Sequence, residues 1–296
     1  MTMQFFKKLA VASLLSTGAM AQAGVLPEVA DAITIPLVAK PTSRPMTVAY
    51  VPDYNRYYIA DGGLGPVPDG FSIPMARSEV HVYSAQGKHL QSVKAGLDNR
   101  SIYFNPNTHH LESVTYNVSS GAGFLPGCGI FALELDAQGN LSSNTTELST
   151  FNPAFGDAAT MPSFDPAESR YFAKQKRSDK VWIAKQENRE QIAEITLDLA
   201  AAKVQFDDIS DNYVAYTGLP GEELMLLDVD HKSVLVFNLA GKFVGRSALP
   251  ASLKLRANNH YNGLGYANGL MFVYHETEGE FGTYHGYRVS DQAVTR

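Results

Sequence analysis

One cysteine, Cys128, is all the thiol that this 296-residue chain carries. An intramolecular disulfide is therefore excluded, and so is any zinc site built on paired cysteines. A catalytic thiol needs a depressed pKa, and Cys128 sits instead in a Gly-rich stretch that reads as loop. Past the N-terminus there is no run of about 18 apolar residues, so no transmembrane segment is expected in the mature chain. Apolar residues at helical spacing are equally scarce; residues 196–204 come nearest and amount to a helical turn. The strong catalytic and metal motifs are missing too: no His-Glu-x-x-His, no EF-hand loop and no Gly-x-Ser-x-Gly. The 24 basic residues are scattered among 30 acidic ones for a net charge of −6, which excludes a basic stripe for nucleic acid or anionic membrane.

What the N-terminus does have is the three-part order of an export signal. Lys7 and Lys8 precede an apolar stretch from Leu9 to Met20, and Ala19-Met20-Ala21 or Ala21-Gln22-Ala23 offers a peptidase its small residues. Residues 1–23 are thus expected to be a cleaved bacterial signal, residues 24–296 one domain, and the product a periplasmic or secreted monomer. The sequons at Asn99, Asn117, Asn140 and Asn144 are read as chance matches to a short pattern.

The rest of the chain repeats. His81-Val-Tyr-Ser-Ala-Gln-Gly87-Lys88, Ala132-Leu-Glu-Leu-Asp-Ala-Gln-Gly139-Asn140 and Val234-Leu-Val-Phe-Asn-Leu-Ala-Gly241-Lys242 share an apolar strand, a polar turn, Gly, then Lys or Asn. Their glycines lie 52 and then 102 residues apart, which predicts a degenerate copy near position 190; Val181 to Glu190 supplies it without a glycine. A second set of turns keeps the same period: Pro52 to Asn55, Asn105 to Thr108, Asp165 to Glu168, Leu219 to Gly221 and Ala267 to Gly269. Val, Ile, Tyr and Phe flank each of these turns, as a pleated, half-buried surface requires.

Four short strands, a to d, recur about every 51 residues, so an all-β, five-bladed β-propeller is expected. Six blades are the runner-up and a β-sandwich is third. The strand around Ala32 to Val38 belongs to no unit, and it is expected to close the ring as the outer strand of the last blade. The Ser-Ala-Gln-Gly-Lys and Leu-Ala-Gly-Lys-Phe turns resemble those of NHL-repeat propellers and their YncE-like and gluconolactonase-like relatives. That resemblance implies extracytoplasmic binding of a ligand or protein, or, in the gluconolactonase branch, metal-assisted ester hydrolysis.

In such a ring the d–a and b–c connections share one face, where ligands commonly sit. The inner strands start at Arg44, Asp98-Asn99-Arg100, Asp157, Asp211-Asn212 and Asn258-Asn259-His260, a polar rim. Asp98, Asp157 and Asp211 with their Asn neighbours offer hard oxygen ligands for Ca2+ or another divalent cation. The long b–c connections, 61–78 and 118–129, hold Phe71, Ile73, Met75, Phe124 and Leu125, an apolar patch for a partner. His275, Glu276 and His285 across one hairpin form a second metal candidate. Trp182 is read as core, and His109 and His110 as surface. Two functions follow: a binding module for a protein or small ligand through the b–c face, or a metal-dependent lactonase or esterase at the channel mouth.

Overall fold

Each Pro-, Asn- or Gly-rich turn of the repeat is a place where the chain reverses, because each holds a residue in the left-handed region. At the a–b turns these are Asn55, His109, Ser169, Gly221 and Asn268; at the c–d turns, Gly87, Gly139, Arg189 and Gly241. The computed structural model describes residues 31–38, 44–62, 64–65, 75–76, 78–95, 97–115, 118–119, 123–124, 129–150, 155–156, 160–255, 264–275 and 281–289. The proposed signal lies outside these.

Strand β1 (Asp31–Pro36) comes first. Blade 1 follows as β2 (Arg44–Val51), β3 (Arg56–Gly62), a ribbon of β4 (Leu64–Gly65) and β5 (Met75–Ala76), then β6 (Glu79–Ser84) and β7 (His89–Lys94). Blade 2 runs β8 (Asn99–Asn105), β9 (His110–Thr115), a ribbon of β10 (Val118–Ser119) and β11 (Gly123–Phe124), then β12 (Gly129–Leu135) and β13 (Leu141–Thr150). Blade 3 is β14 (Ser163–Asp165), β15 (Arg170–Lys174), β16 (Lys180–Lys185) and β17 (Gln191–Thr196), followed by the single helical turn α1 (Leu199–Ala202). Blade 4 is β18 (Ala215–Tyr216), β19 (Leu224–Asp228), β20 (Ser233–Phe237) and β21 (Phe243–Ala248). Blade 5 has β22 (Leu264–Ala267), β23 (Leu270–His275) and β24 (Thr283–Tyr287), and its fourth strand is β1.

The protein is therefore an all-β, five-bladed propeller. Each blade is an antiparallel sheet in the order a-b-c-d, and β1 pairs with β24 from Asp31↔Tyr287 to Pro36↔Thr283. That pairing ties the chain's first strand to its last blade and leaves no blade short of an outer strand. Both faces of the middle strands are buried, as in β19 and β20, while the outer strands β7 and β17 are largely exposed. The apolar core thus lies between blades: Ile35, Tyr57, Tyr83, Phe272 and Tyr284 between blades 5 and 1, and Phe172, Ile183, Leu226 and Phe237 between blades 3 and 4. Trp182, expected in the core, is only half-buried, and its indole donates to Glu194 Oε2 at 3.1 Å. It packs against the edge of a core cluster that includes Val114, Ile130 and Tyr171. No described helix is long and apolar enough to cross a membrane.

The c–d glycines do more than turn the chain. A Cβ on Gly241, at φ +76°, would lie 2.0 Å from the Thr196 carbonyl oxygen of blade 3. At position 189, where the repeat has arginine, the left-handed turn is kept and the Arg189 guanidinium donates to Ser149 Oγ of blade 2. Turn geometry is therefore obligatory and glycine is one way to meet it. Gly221 has the same backbone, φ +81°, with nothing near its missing Cβ. Gly221→Ala should cost about 1 kcal/mol, the left-handed penalty alone, and Gly241→Ala at least about 1 kcal/mol more for the clash. Denaturant unfolding of both variants measures the difference; equal losses would show that this blade contact is slack.

Candidate functional site

Inner strands rich in aromatic residues surround the ring's axis, and where they end the ring is open. A cavity of about 880 Å³ lies there, lined by residues of all five inner strands and by residues of all five a–b turns, among them Pro52, Pro106, Pro166, Leu219 and Asn268. Every blade contributes at least one aromatic ring to its walls, Tyr50, Tyr103, Phe164, Tyr213, Tyr216 and Tyr266 among them. The cavity is therefore ringed by the a–b turns and reaches inward along the channel to Thr47, Ser101 and Tyr213 near the strand starts.

Several of these rings are held by defined partners. The Tyr103 hydroxyl donates to Glu112 Oε2 at 2.7 Å and lies 2.6 Å from that of Tyr171; Asn105 and Thr108 also donate to Glu112. Burial, then Tyr171 and Glu112, holds the Tyr103 phenol well above its ordinary pKa. Tyr216 stacks on Phe172 with ring centroids 4.8 Å apart, and burial followed by Asp165 pushes its phenol up to about 12. Tyr266 is pushed up to about 12 by burial and then by the charge of Glu222. Glu222, in the blade 4 a–b turn, is fully buried, and neither carboxylate oxygen has a hydrogen-bond partner among the described residues.

A second polar group occupies the face of blade 1 that carries Tyr57 and Tyr83, both of which pack against blade 5. Asp61 Oδ2 lies 3.2 Å from His81 Nε2, His81 Nδ1 lies 2.8 Å from Ser92 Oγ, and that hydroxyl lies 2.9 Å from His89 Nε2. Asp61 Oδ1 also accepts from the Glu79 amide at 2.5 Å, and its carbonyl accepts from Ser78 Oγ. Asp61 and His81 are buried, whereas Glu79 and Ser92 reach solvent.

The rim residues expected from sequence have structural partners where they are described. Arg100 donates to both oxygens of Asp98, from Nε at 3.2 Å and Nη2 at 2.9 Å, so the two form a buried fork-to-fork pair. Asn99 is fully buried, donates to Ser78 Oγ at 3.1 Å and accepts from Ser113 Oγ at 2.7 Å, which ties blade 2 to blade 1. Asp211 Oδ1 accepts from the Arg177 amide at 2.5 Å, and the Asn212 carbonyl accepts from the Met161 amide at 2.9 Å. Arg44 opens β2, Met75 falls in β5 and Phe124 in β11, with the side chains outside the described set. Asp157, Asn258, Asn259, His260, Phe71, Ile73, Leu125 and Glu276 lie outside the described residues.

His275 and His285 do come together, with ring centroids 5.4 Å apart. Burial lowers the His275 pKa, and His285, Lys254 and Lys232 lower it further. The group of Asp61, Glu79 and His81, whose ligand atoms all lie within 4.8 Å of one another, is the one metal-capable cluster among the described residues. Sequence reasoning passed over it, although a signal was present: Glu79 and His81 are two apart on one strand and so share a face.

No family model matches the chain, and no curated protein matches it. The likeness to NHL-type propellers therefore rests on hairpin turns. Solved structures that resemble it include the β-propeller domain of Cps50 (Swd1) from Myceliophteria thermophila, at 12% identity and TM-score 0.38, covering 88% of this chain and 100% of that one. Hydrazine synthase from Kuenenia stuttgartiensis matches at 13% identity and TM-score 0.36, over 82% of this chain and 59% of the other. BamB from Moraxella catarrhalis matches at 10% identity and TM-score 0.33, over 90% and 99%. Likeness at this level says nothing about function.

Beside Asp211 lies a fully buried lysine, Lys174, whose Nζ donates to the Gln175 carbonyl at 2.8 Å and to that of Ser178 at 2.5 Å. Burial lowers its pKa from 10.5 to about 8, against the opposing pull of Asp211 and Asp179. Below pH 8 both folded and unfolded chains hold this proton; between about 8 and 10.5 only the unfolded chain does, so stability rises with pH across that window. The gain amounts to about 3 kcal/mol when complete. Lys174→Met should lack it. Unfolding free energies of parent and variant at pH 7.5, 8.5 and 9.5 check this, and parallel slopes would refute it.

Proposed function

We propose that this protein is an exported, non-catalytic binding module that takes a small, flat, largely apolar ligand into the a–b end of its channel. The observation that carries this reading is the cavity itself. Its volume of about 880 Å³ falls within the range of small-molecule sites, and five blades contribute aromatic walls to it. A surface assembled from five sheets is pre-organised, because moving one ring means moving a blade contact, and pre-organisation lowers the entropy cost of binding. The buried Glu222 charge near Tyr266 gives that side a preference for a donor or positive group.

An uncharged aromatic fluorophore, N-phenyl-1-naphthylamine, probes this site directly. One probe should bind per chain, and Tyr50→Ala and Tyr216→Ala should each weaken it at least tenfold while the protein stays folded. Binding that ignores both substitutions would remove the channel from consideration.

Export is supported by the Lys-rich start, the apolar stretch of residues 9–20 and the small residues after it. Material recovered from the periplasm or medium should begin at Gln22 or Gly24 by mass spectrometry. A chain that keeps Met1 there would count against export through this signal.

A further inference from the structure

We propose that Asp61, Glu79 and His81 form a binding site for a divalent cation of the zinc class on the face of blade 1 turned toward blade 5. The three residues offer one imidazole nitrogen and two carboxylates, a borderline donor set suited to Zn2+ or Co2+. Their spacing fits: two ligands at zinc bond lengths on a tetrahedral ion stand about 3.3 Å apart, and Asp61 Oδ2 and His81 Nε2 already stand 3.2 Å apart. Glu79 completes a set in which all three ligand atoms lie within 4.8 Å of one another. Its carboxylate is about one-fifth exposed, so a modest rotation closes that gap and leaves the fourth position open to water.

The surroundings support metal on Nε2. The other imidazole nitrogen, Nδ1, faces Ser92 Oγ at 2.8 Å, the outer hydrogen bond that fixes a ligating histidine's tautomer. Without metal, Nε2–H donates to Asp61, Ser92 donates to Nδ1, and His89 donates to Ser92. With metal on Nε2 the chain reverses: Nδ1–H donates to Ser92 and Ser92 donates to His89. Every donor keeps an acceptor and no proton is gained or lost. Backbone geometry aims the ligands, since Asp61 Oδ1 is held by the Glu79 amide at 2.5 Å. Lys94, 3.9 Å from Glu79, is three-quarters exposed and can swing into solvent. Asp61 ends strand b while Glu79 and His81 begin strand c, so an ion here would clamp the two ends of a long connection.

Cobalt titration of the untagged, chelator-stripped chain is the test, because Co2+ at such a site absorbs in the visible. One equivalent should bind and be displaced by Zn2+. Glu79→Gln should weaken binding at least tenfold, His81→Gln should abolish it, and Ser92→Ala should weaken it by about tenfold through the lost outer hydrogen bond. Glu79→Gln is the decisive variant should His81→Gln not fold, since position 79 is partly exposed. Absence of stoichiometric cobalt binding, parental affinity in Glu79→Gln, or loss in His275→Gln instead would each overturn the site. Fluorophore binding in the channel should be the same in all of these variants, so the two proposals fail separately.

Discussion

The ring depends on how neighbouring inner strands hold one another without forming a continuous sheet. Each blade pairs its own strands, and between blades the innermost contacts run mainly through hydroxyls, joined by one backbone bond from the Met161 amide to the Asn212 carbonyl. Thr47 Oγ1 of blade 1 donates to the Arg100 carbonyl of blade 2 at 3.2 Å and accepts from the Ile102 amide at 2.7 Å. Ser101 of blade 2 donates to the Pro162 carbonyl ahead of blade 3, and Ser163 of blade 3 donates to the Val214 carbonyl of blade 4. The Tyr213 phenol carries the chain of contacts on to the Tyr266 backbone of blade 5. At the last junction, blade 5 to blade 1, glycine replaces the hydroxyl: a Cβ on Gly265 would stand 2.7 Å from the Val48 nitrogen. Buried backbone groups at the start of inner strands would otherwise lack partners, at about 1–3 kcal/mol each.

Around this polar ring lies an apolar one. Aliphatic and aromatic side chains pack between blades, and the radial arrangement explains why b strands and most c strands are buried on both faces while d strands such as β7 and β17 are largely exposed. The c–d turns then seat each blade against another, by backbone at Gly87 and Gly241 and by a guanidinium at Arg189. A single geometric demand, a left-handed residue at a fixed place, is met by different side chains that each find their own way of touching the next blade.

The same closeness sets the cost of buried charge. Glu112 and Asp98 are buried and fully engaged, by Tyr103, Asn105 and Thr108 in one case and by Arg100 in the other. Glu222 is buried with no such partners among the described residues, next to the cavity residue Tyr266. In the proposed binding role, a ligand donor at this end of the channel would give that carboxylate its missing partner. The blade 1 cluster differs, since its network is satisfied in two directions and a cation shifts it from one to the other.

Period and turn chemistry were readable along the chain because both are local: a four-strand unit needs about 51 residues, and its reversals need Asn, Gly or a tolerated substitute. Blade number, the stray first strand as the closing strand and the glycine-less copy at Glu190 all followed from that. Side-chain partnerships did not follow, because they join units far apart in sequence. Asp98 and Arg100 looked like free rim ligands until folding paired them with each other, and Asp211 until the Arg177 amide reached it from 34 residues away. Nor could one-dimensional reading choose which end of the channel holds the cavity, since the aromatic residues that line it alternate along strands whose radial order only the closed ring defines. Asp61 and His81 sit 20 residues apart on two strands with a long connection between them, and it is the pairing of those strands that sets a carboxylate 3.2 Å from an imidazole.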